Sequence, residues 1–477
     1  MNWLITENKK RINISDIPVL NINDLRREII SLNKRVISFF NSNGKLYVIL
    51  SDDNEGKLYI SSSNIDFTEY ECLTNEIPSF HVFERELYEN SGITPLNHPW
   101  LKPVRDHKTE YKFFEMDGEE VHQVAVGPIH AGVIEPGHFR FMCHGEKIYD
   151  LEIQLGYQSR GVEKLFEQKP TNQLAESICG DSVIANNLAY SNLVEALAEK
   201  EVSNKAQLIR LIALEMERCA IHIGDLGAIA GDIAYLMGAS IFGATRTLVI
   251  NTMLEISGSR FGRGLVTVGG VNFDIDKELS KTIVSVLDKV AIDVERTTKV
   301  MLKSPTVASR LEKTGVVSEE NARKLGLVGM AARASGVNID SRFDFPDKWY
   351  ENINNQMIKA EGDVLSRTRL RYKEIKQSIH IIKKFLKELD NYQNDEICIG
   401  VDNIMPNSMA VSIIEGWRGE IVHVALTGNN GNFEKYKIKD PSFNNWYALA
   451  MAVRNNGISD FPLCNKSFNL SYCGNDL

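Results

Sequence analysis

The sequence predicts an α+β protein, and three features lead to this fold class. Long stretches with apolar residues three and four positions apart predict helices between residues 171 and 389. Short alternating runs predict paired strands near the N-terminus, at Lys45–Leu50 and Lys57–Ser61, and a hairpin near the C-terminus, at Ile421–Thr427 and Lys435–Lys439. We therefore expect a small N-terminal α/β domain at residues 1–108 and a large domain at residues 109–477. The large domain should hold a bundle of long helices and a peripheral β-hairpin region formed by its N- and C-terminal parts.

The composition is typical of a soluble globular protein, with 43% hydrophobic and 25% charged residues in a chain of 477. A net charge of -9 argues against non-specific nucleic-acid binding, which needs a basic face. The sequence has no apolar run of about 18 residues, and its first residues lack the pattern of a signal peptide. The seven cysteines are scattered and never spaced CxxC. This usage is typical of reduced cytosolic thiols and provides no local zinc or iron–sulfur motif.

The N-terminal domain should begin with a helix over Asp24–Phe40, followed by the two strands and the turn at residues 52–56 between them. Farther along, the charged segment Phe83–Ile93 runs into Asn97–Leu101. On spacing alone, this segment predicts a surface helix followed by a turn. The charged, proline-containing segment Lys102–Tyr111 marks the domain boundary.

The large domain should begin with a strand at His122–Val126 and a loop at Gly127–Phe141, in which glycine and proline residues bracket His130 and His138. Taken alone, histidines in such a loop can simply be exposed to solvent. A second glycine-rich stretch, Ser259–Val271, lies beside arginines and could cradle a phosphate. It lacks the spacing of dinucleotide and P-loop sites, so we do not expect nucleotide binding there.

Six segments of the large domain are predicted helices: Thr171–Lys200, Lys205–Met237, Phe242–Gly258, Asp276–Lys303, Ser318–Leu325 and Asp363–Leu389. The second helix carries charged residues among its leucines and isoleucines, namely Glu215, Glu217, Arg218, His222, Asp225 and Asp232. Some of these must pair in the interior, because an unpaired buried charge costs several kcal/mol. For the last helix, which is rich in Lys and Arg, a solvated face is a sufficient interpretation.

A turn with the sequence Arg160-Gly161-Val162-Glu163-Lys164 precedes the segment that brings Cys179 into the interior. This turn and cysteine resemble the first metal-binding motif of nickel–iron hydrogenase large subunits, which are related to the 49-kDa subunit of respiratory complex I. The strings GPIHAGVIEPGHFRF and RFGRG match the same superfamily. Ahead of them, ERELYENSGI and HPWL resemble the 30-kDa subunit of complex I. Membrane-bound, energy-converting hydrogenases of the formate hydrogenlyase type carry a similar domain fused ahead of the large subunit, and this chain resembles those most.

The resemblance implies where a nickel–iron centre would lie. Hydrogenases hold it with four thiolates, from CxxC near the start and DPCxxC near the end, because these metals favour soft donors. The corresponding positions here are Cys179, Ser182, Ser442 and Asn445. A hydroxyl is no comparable ligand at neutral pH, and a single buried cysteine is most often an inert apolar residue. We therefore expect a degenerate metal site without a nickel–iron centre.

The resemblance also implies an acceptor site. In complex I, the corresponding hairpin places a histidine at the quinone head group, and an aspartate at the end of a long helix is its partner. Those positions are His138 and Asp232, which we expect to form a dyad at a site for a quinone or another small acceptor.

Glu163 matches the glutamate that passes protons away from the hydrogenase metal site. The alternative is a simple ion pair of Glu163 with Arg160 or Lys164. His130, Arg160 and Gly180 are the residues we expect beside a bound cofactor.

Three functions remain open at this point: a metal-free subunit of a membrane-bound, ion-translocating oxidoreductase complex, an active hydrogenase or formate hydrogenlyase subunit, and a structural coupling subunit without a substrate. The resemblance implies three kinds of partner: a small iron–sulfur subunit like the 20-kDa subunit of complex I, a ferredoxin-like subunit, and integral membrane subunits. The iron–sulfur cluster would lie on the partner. The chain should sit on the cytoplasmic face of the membrane without spanning it.

Overall fold

The computed structural model of the protein describes residues 2–130, 134–353 and 358–477. The N-terminal part contains β1 Leu4–Thr6, β2 Arg11–Asn13, β3 Val19–Leu20, α1 Ile22–Leu32, β4 Arg35–Ser42, β5 Lys45–Asp52, β6 Lys57–Asn64, β7 Glu69–Glu71, α2 His81–Ser91 and β8 Thr94–Leu96. Strands β1, β6, β5 and β4 form a sheet in that order, and β3 pairs with β6 in parallel. The two strands predicted near the N-terminus are confirmed as β5 and β6.

The helix predicted over Asp24–Phe40 is wrong in its second half. Helix α1 ends at Leu32, where Asn33 adopts a left-handed conformation with φ 45° and closes the last turn. The following residues form strand β4 because half of them are β-branched or aromatic, which favours a pleated, buried surface. The buried side chains of this strand include Val36, Ile37, Phe39 and Phe40.

Helix α2 is buried over His81–Leu87, so the surface-helix interpretation is wrong for this part of the segment. The Glu84 side chain is inaccessible to solvent. Its carboxylate accepts hydrogen bonds from the Tyr70 hydroxyl (2.9 Å) and from the backbone amides of Leu73 (2.7 Å) and Thr74 (3.0 Å). These donors replace water and make the buried carboxylate tolerable.

The rest of the chain contains β9 Val121–Val126, β10 His138–His144, β11 Lys147–Gln154, α3 Val162–Gln168, α4 Asn172–Ser177, α5 Val183–Leu197, α6 Asn204–Asp232, α7 Leu236–Ser257, β12 Val266–Thr267, β13 Gly270–Val271, α8 Lys277–Lys303, α9 Pro305–Leu311, α10 Glu319–Lys324, α11 Gly329–Ala334, α12 Ser341–Asp344, α13 Val364–Leu389, β14 Ser408–Glu415, β15 Glu420–Thr427, β16 Phe433–Lys439, α14 Pro441–Ala452, α15 Phe461–Phe468 and α16 Tyr472–Asp476. Helices α6, α7, α8 and α13 pack into a bundle. The sheet β16-β15-β14-β2 lies against α5. The α+β class is confirmed, and within the described ranges no helix is both long and apolar enough to cross a membrane.

Two predicted helix boundaries differ from the structure. The helix expected over residues 171–200 is divided into α4 and α5, and Cys179 and Ser182 lie in the turn between them, where the Ser182 amide donates to the Cys179 carbonyl at 3.1 Å. The helix expected over residues 205–237 ends at Asp232, because Ala234 takes a positive φ of 58° that reverses the chain into α7. Both breaks lie at positions that the superfamily resemblance marks as functional.

Arginines and carboxylates pair inside the bundle. Arg333, which is only 2% exposed, donates to Glu374 and to Glu415, both at 2.8 Å. His222 Nε2 lies 2.8 Å from the other oxygen of Glu374. Arg342 lies 3.2 Å from Glu215. The prediction that some of the charged residues of α6 pair in the interior is thereby confirmed for Glu215 and His222.

Helix α13 contributes buried charges to the same interior, so a solvated face does not account for it. Arg367 and Arg371 are inaccessible to solvent. Arg367 donates to the Ser467 hydroxyl at 2.8 Å, and Arg371 forms a 2.7 Å ion pair with Asp225. The amphipathic period predicts the helix, but it does not show which arginines face inward to meet carboxylates of other segments.

Replacing Arg333 with Met should lower the free energy of unfolding by about 3–5 kcal/mol, because the carboxylates of Glu374 and Glu415 would lose a partner inside the protein. Arg323→Met is the matched control. Arg323 also pairs with a glutamate, Glu319, at 2.7 Å, but 59% of its side chain is exposed. Its loss should change stability by less than about 0.5 kcal/mol. Denaturant unfolding of both variants measures the difference, and equal effects would contradict the buried network.

Candidate functional site

Four distant segments of the chain meet at the candidate site. The turn between α4 and α5 supplies Cys179 and Ser182, and the turn between β14 and β15 supplies Arg418. The start of α14 supplies Ser442, and Ser471 precedes α16. These side chains are at least 95% buried. Their convergence brings the N-terminal and C-terminal ligand positions of the superfamily into one hydrogen-bonded cluster.

Local structure explains how the two ligand pairs are presented. Asp440 caps α14 by accepting the Ser442 amide at 2.8 Å, and Pro441 occupies the first turn. Ser442 and Asn445 are therefore three residues apart on one face of the helix. In the other pair, Ser182 is the N-cap residue of α5.

Arg418 is the central cation of the cluster. Its guanidinium donates to both carboxylate oxygens of Asp181, at 2.8 and 2.7 Å. Burial raises the pKa of Asp181, but Arg418 outweighs burial and holds this pKa below its usual value. The same guanidinium lies 3.4 Å from the Ser182 hydroxyl and 3.5 Å from the Cys179 sulfur.

A close backbone approach positions Arg418. Gly419, with φ 141°, lies against Gly329, and a Cβ atom on Gly419 would come within 2.7 Å of the Gly329 Cα atom. A side chain at either position would push the turn that carries Arg418 away from α11. Packing at the site therefore requires a glycine at position 419, directly after Arg418.

The Cys179 thiol is held in its protonated form. Its sulfur donates to Asp181 Oδ1 at 3.0 Å and lies 3.1 Å from the Ser471 hydroxyl. A hydrogen bond with the Cys473 thiol, then burial and the charge of Asp181, raise the pKa of Cys179 well above its usual value. Arg418 opposes this shift without reversing it.

The remaining ligand positions have other partners. The Ser442 hydroxyl accepts the Ser471 amide at 2.8 Å. The Asn445 side chain bonds both the amide and the carbonyl of Val328, each at 3.1 Å. The four positions thus present one thiol, two hydroxyls and an engaged amide, which do not fit a centre that needs four thiolates. Among the residues that the structure describes, no group of three or more His, Cys, Asp or Glu side chains is arranged to hold a metal ion.

The loop with the two histidines lies against the C-terminal segment. Glu135 accepts the Cys473 amide at 3.0 Å, and the His130 ring centroid lies 6.2 Å from that of Tyr472. Burial lowers the pKa of His130. Residues 131–133 of this loop lie outside the described ranges. His130 therefore lies near the C-terminal segment, and its place beside a bound cofactor stays a prediction.

His138 and Asp232 lie at the ends of two elements, at the start of β10 and the end of α6. The His138 ring centroid is 6.1 Å from that of Phe113, and burial lowers the pKa of His138. Asp232 is exposed, but its carboxyl is partly desolvated by the protein around it. This desolvation raises the pKa of Asp232, and the positive charge of Lys466 lowers it. Across the part of the chain that the structure describes, no hydrogen bond or ion pair joins the two side chains. The dyad remains a prediction.

Glu163 lies in the first turn of α3 and pairs with neither Arg160 nor Lys164. Its carboxylate lies 3.0 Å from Lys437 and accepts the Ile438 amide at 2.9 Å. The Arg160 side chain donates to the Ser177 carbonyl at 2.7 Å and to the Ile178 carbonyl at 3.0 Å, so it ties its turn to the end of α4. Gly180 is exposed beside Cys179.

Sequence reasoning did not identify three residues of this cluster, Arg418, Ser471 and Cys473, or the role of Glu217 beside it. Arg418 stands in the string GWRGE, whose paired glycines were a usable signal. Ser471 and Cys473 carry no local pattern. In the sequence, Glu217 is only one charge among several on α6. It accepts the amides of Ile184 (2.7 Å) and Ala185 (3.3 Å) at the start of α5.

The chain is similar to several known proteins. The family described as respiratory-chain NADH dehydrogenase, 49 Kd subunit, matches residues 232–476, just over half of the chain. Formate hydrogenlyase subunit 5 of Escherichia coli (strain K12) is 27% identical over 471 residues, covering 91% of this chain and 82% of that protein. The membrane-bound hydrogenase subunit alpha of Pyrococcus furiosus is 29% identical and covers 71% and 83%. An NADH-quinone oxidoreductase subunit of Clostridium beijerinckii is 29% identical and covers 70% and 91%.

A solved structure shares the fold. It is described as the membrane-bound sulfane sulfur reductase, an archaeal respiratory membrane complex, and matches with a TM-score of 0.68 over 75% of this chain and 99% of that chain. At 21% sequence identity, this likeness speaks for the fold alone.

Glu217 should make stability depend on pH. Burial raises its pKa to about 8, with a smaller contribution from Asp181, against the two amides and Arg218. Between about pH 4.5 and pH 8, the folded chain holds a proton that the unfolded chain releases, so stability falls as pH rises through this window. The free energy of unfolding of Glu217→Gln, taken relative to that of the parent, should therefore rise by roughly 2–4 kcal/mol from pH 5 to pH 8.

Denaturant unfolding at both pH values measures this difference. Glu255→Gln, at an exposed position on α7, is the control and should follow the parent. If the free energies of unfolding of the parent and Glu217→Gln differ by the same amount at both pH values, Glu217 is ionised throughout this range.

Proposed function

Because the chain belongs to the family of the 49-kDa subunit of respiratory-chain NADH dehydrogenase, we propose that it is a peripheral subunit of a membrane-bound, ion-translocating oxidoreductase complex. Relatives that match most of the chain are named as subunits of formate hydrogenlyase, membrane-bound hydrogenase and NADH-quinone oxidoreductase. These matches confirm the resemblance inferred from the sequence motifs. They support a role in passing electrons within a larger assembly.

The subunit works without a nickel–iron centre in this proposal. The observation that carries it is the donor set: Cys179 is the single thiol among the four ligand positions, and Asn445 is engaged with Val328. Hydroxyl and amide groups are poor substitutes for thiolates on soft metals. In addition, the Arg418 cation, 3.5 Å from the Cys179 sulfur, lies where a metal cation would have to approach. Two positive charges beside one sulfur in a buried site would repel each other.

A small acceptor, such as a quinone, would bind between the hairpin of His138 and the end of α6 at Asp232. A histidine whose pKa is kept low by burial is neutral at pH 7 and can accept a proton and then donate it to a reduced acceptor. The raised pKa of Asp232 makes this carboxyl a suitable second carrier of a proton.

An exposed apolar face supports the partner assignment. Leu236 and Met237 at the start of α7 are 70% and 56% exposed, and Leu248 and Leu254 of the same helix are also exposed. Exposed apolar residues grouped on one element are typical of an interaction surface. The exposed arginines of the glycine-rich loop after this helix extend the surface. We assign this face to a small iron–sulfur subunit, which would link the chain to ferredoxin-like and membrane subunits.

The complex isolated from its source should contain no stoichiometric nickel in this chain. Elemental analysis of the purified complex, with iron measured as a control for the clusters of the partner subunits, tests this. Close to one nickel atom per chain together with hydrogen uptake would contradict the proposal and make the chain an active hydrogenase subunit.

Replacing His138 with Ala should reduce turnover of the complex by roughly 10²-fold or more, because a positioned proton donor is lost. His144→Ala is the matched control, since His144 ends the same strand and is exposed. Both variants should assemble with their partners, as seen by native gel analysis. Full turnover in assembled His138→Ala would leave the structural coupling role as the better description.

A further inference from the structure

We propose that Cys179 and Cys473 form a dithiol–disulfide couple that exchanges with substrates containing a sulfur–sulfur bond. The inference rests on the proposed function in one respect: the electrons that restore the dithiol would come from an iron–sulfur cluster of the partner subunit. The site occupies the place where related proteins are expected to hold their metal, and nothing else about the chain assigns a role to Cys473.

The two sulfur atoms meet at one hydroxyl. Cys179 arrives from the turn after α4, and Cys473 lies in α16. The Ser471 hydroxyl lies 3.1 Å from the Cys179 sulfur and 3.6 Å from the Cys473 sulfur. A residue far away in the sequence is thus brought beside Cys179 by the fold. The thiols are reduced, and a disulfide would require the sulfurs to close to about 2.05 Å.

The surroundings of Cys179 suit thiol chemistry. The Arg418 guanidinium, 3.5 Å from its sulfur, stabilises a thiolate whenever one forms. Asp181 Oδ1, 3.0 Å away, accepts a hydrogen bond from the thiol. The Asp181 side chain is 35% exposed, so the polar side of the cluster lies near solvent. An inert packed cysteine needs neither a cation nor a carboxylate beside its sulfur.

The two cysteines differ in their exposure to solvent. Cys473 is 9% exposed and Cys179 only 2%. Cys473 lies beside the loop of Glu135, which accepts its amide at 3.0 Å. The outer thiol therefore meets a substrate first, and the inner thiol resolves the product.

The exchange balances in two steps. In the first, the Cys473 sulfur attacks one sulfur of R–S–S–R′, forms a mixed disulfide and releases R′–SH, which takes the thiol proton. In the second, the Cys179 sulfur attacks the Cys473 sulfur, forms the internal disulfide and releases R–SH, which takes the Cys179 thiol proton. Two electrons and two protons then return the disulfide to the dithiol.

The experiment uses the intact complex and the small neutral probe bis(2-hydroxyethyl) disulfide, followed by alkylation and peptide mass spectrometry. The parent should show a peptide cross-linked through Cys179 and Cys473. Cys179→Ser should instead accumulate 2-mercaptoethanol on Cys473, because the resolving thiol is missing. Cys473→Ser should lose both products. Cys398→Ser, which removes an exposed cysteine, should behave like the parent.

Two results would overturn the inference. One is full alkylation of Cys179 and Cys473 as free thiols after exposure of the parent to the probe. The other is the absence of an adduct on Cys473 in the Cys179→Ser variant, in a sample in which Cys398 is modified. Nickel analysis of the same preparation separates the two ideas: nickel-free complex without the cross-link rejects only the thiol couple, whereas stoichiometric nickel rejects the proposed function.

Discussion

The Arg418 guanidinium is the interaction on which the candidate site depends. It binds both oxygens of Asp181, lies beside the Cys179 sulfur and donates through Nε to the Asn469 carbonyl. Asn469 in turn donates to Asp225 at 2.7 Å, and Asp225 pairs with Arg371. A single buried cation thus connects the site to the charged interior of the helix bundle. Such a cation is tolerated only because each neighbour supplies negative charge or an acceptor.

The same constraint shapes the rest of the interior and the contact between the N-terminal and C-terminal parts. Arg35 of β4 lies 2.8 Å from Glu420 of β15, and Lys439 of β16 lies 2.6 Å from the same buried carboxylate. Strand β2 also pairs with β14, so N-terminal residues complete a sheet of the C-terminal part. These buried charges require segments distant in sequence to meet, because a buried charge without a partner costs several kcal/mol.

Polar residues occupy three of the four positions at which the resemblance implies metal-ligand thiolates. Ser182 and Ser442 cannot supply the charge that thiolates would, and Asp181 provides the negative charge opposite Arg418. The remaining thiol of the ligand set is joined by Cys473, which lies outside the expected ligand positions. The proposed Cys179–Cys473 couple would give this site a two-electron carrier, because paired thiols exchange two electrons.

The sequence by itself determined the α+β class, the strands β5 and β6, the long helices and the family, because hydrophobic periodicity and motif strings are local properties. It also predicted that three of the four expected metal-ligand positions lack sulfur. Only the tertiary structure decided that residues 35–42 form a strand, that Glu163 pairs with Lys437, and that Arg418 and Cys473 stand beside Cys179. These contacts join residues hundreds of positions apart. The packing of the elements decides which buried charges and sulfurs come together. No local sequence pattern encodes these pairs.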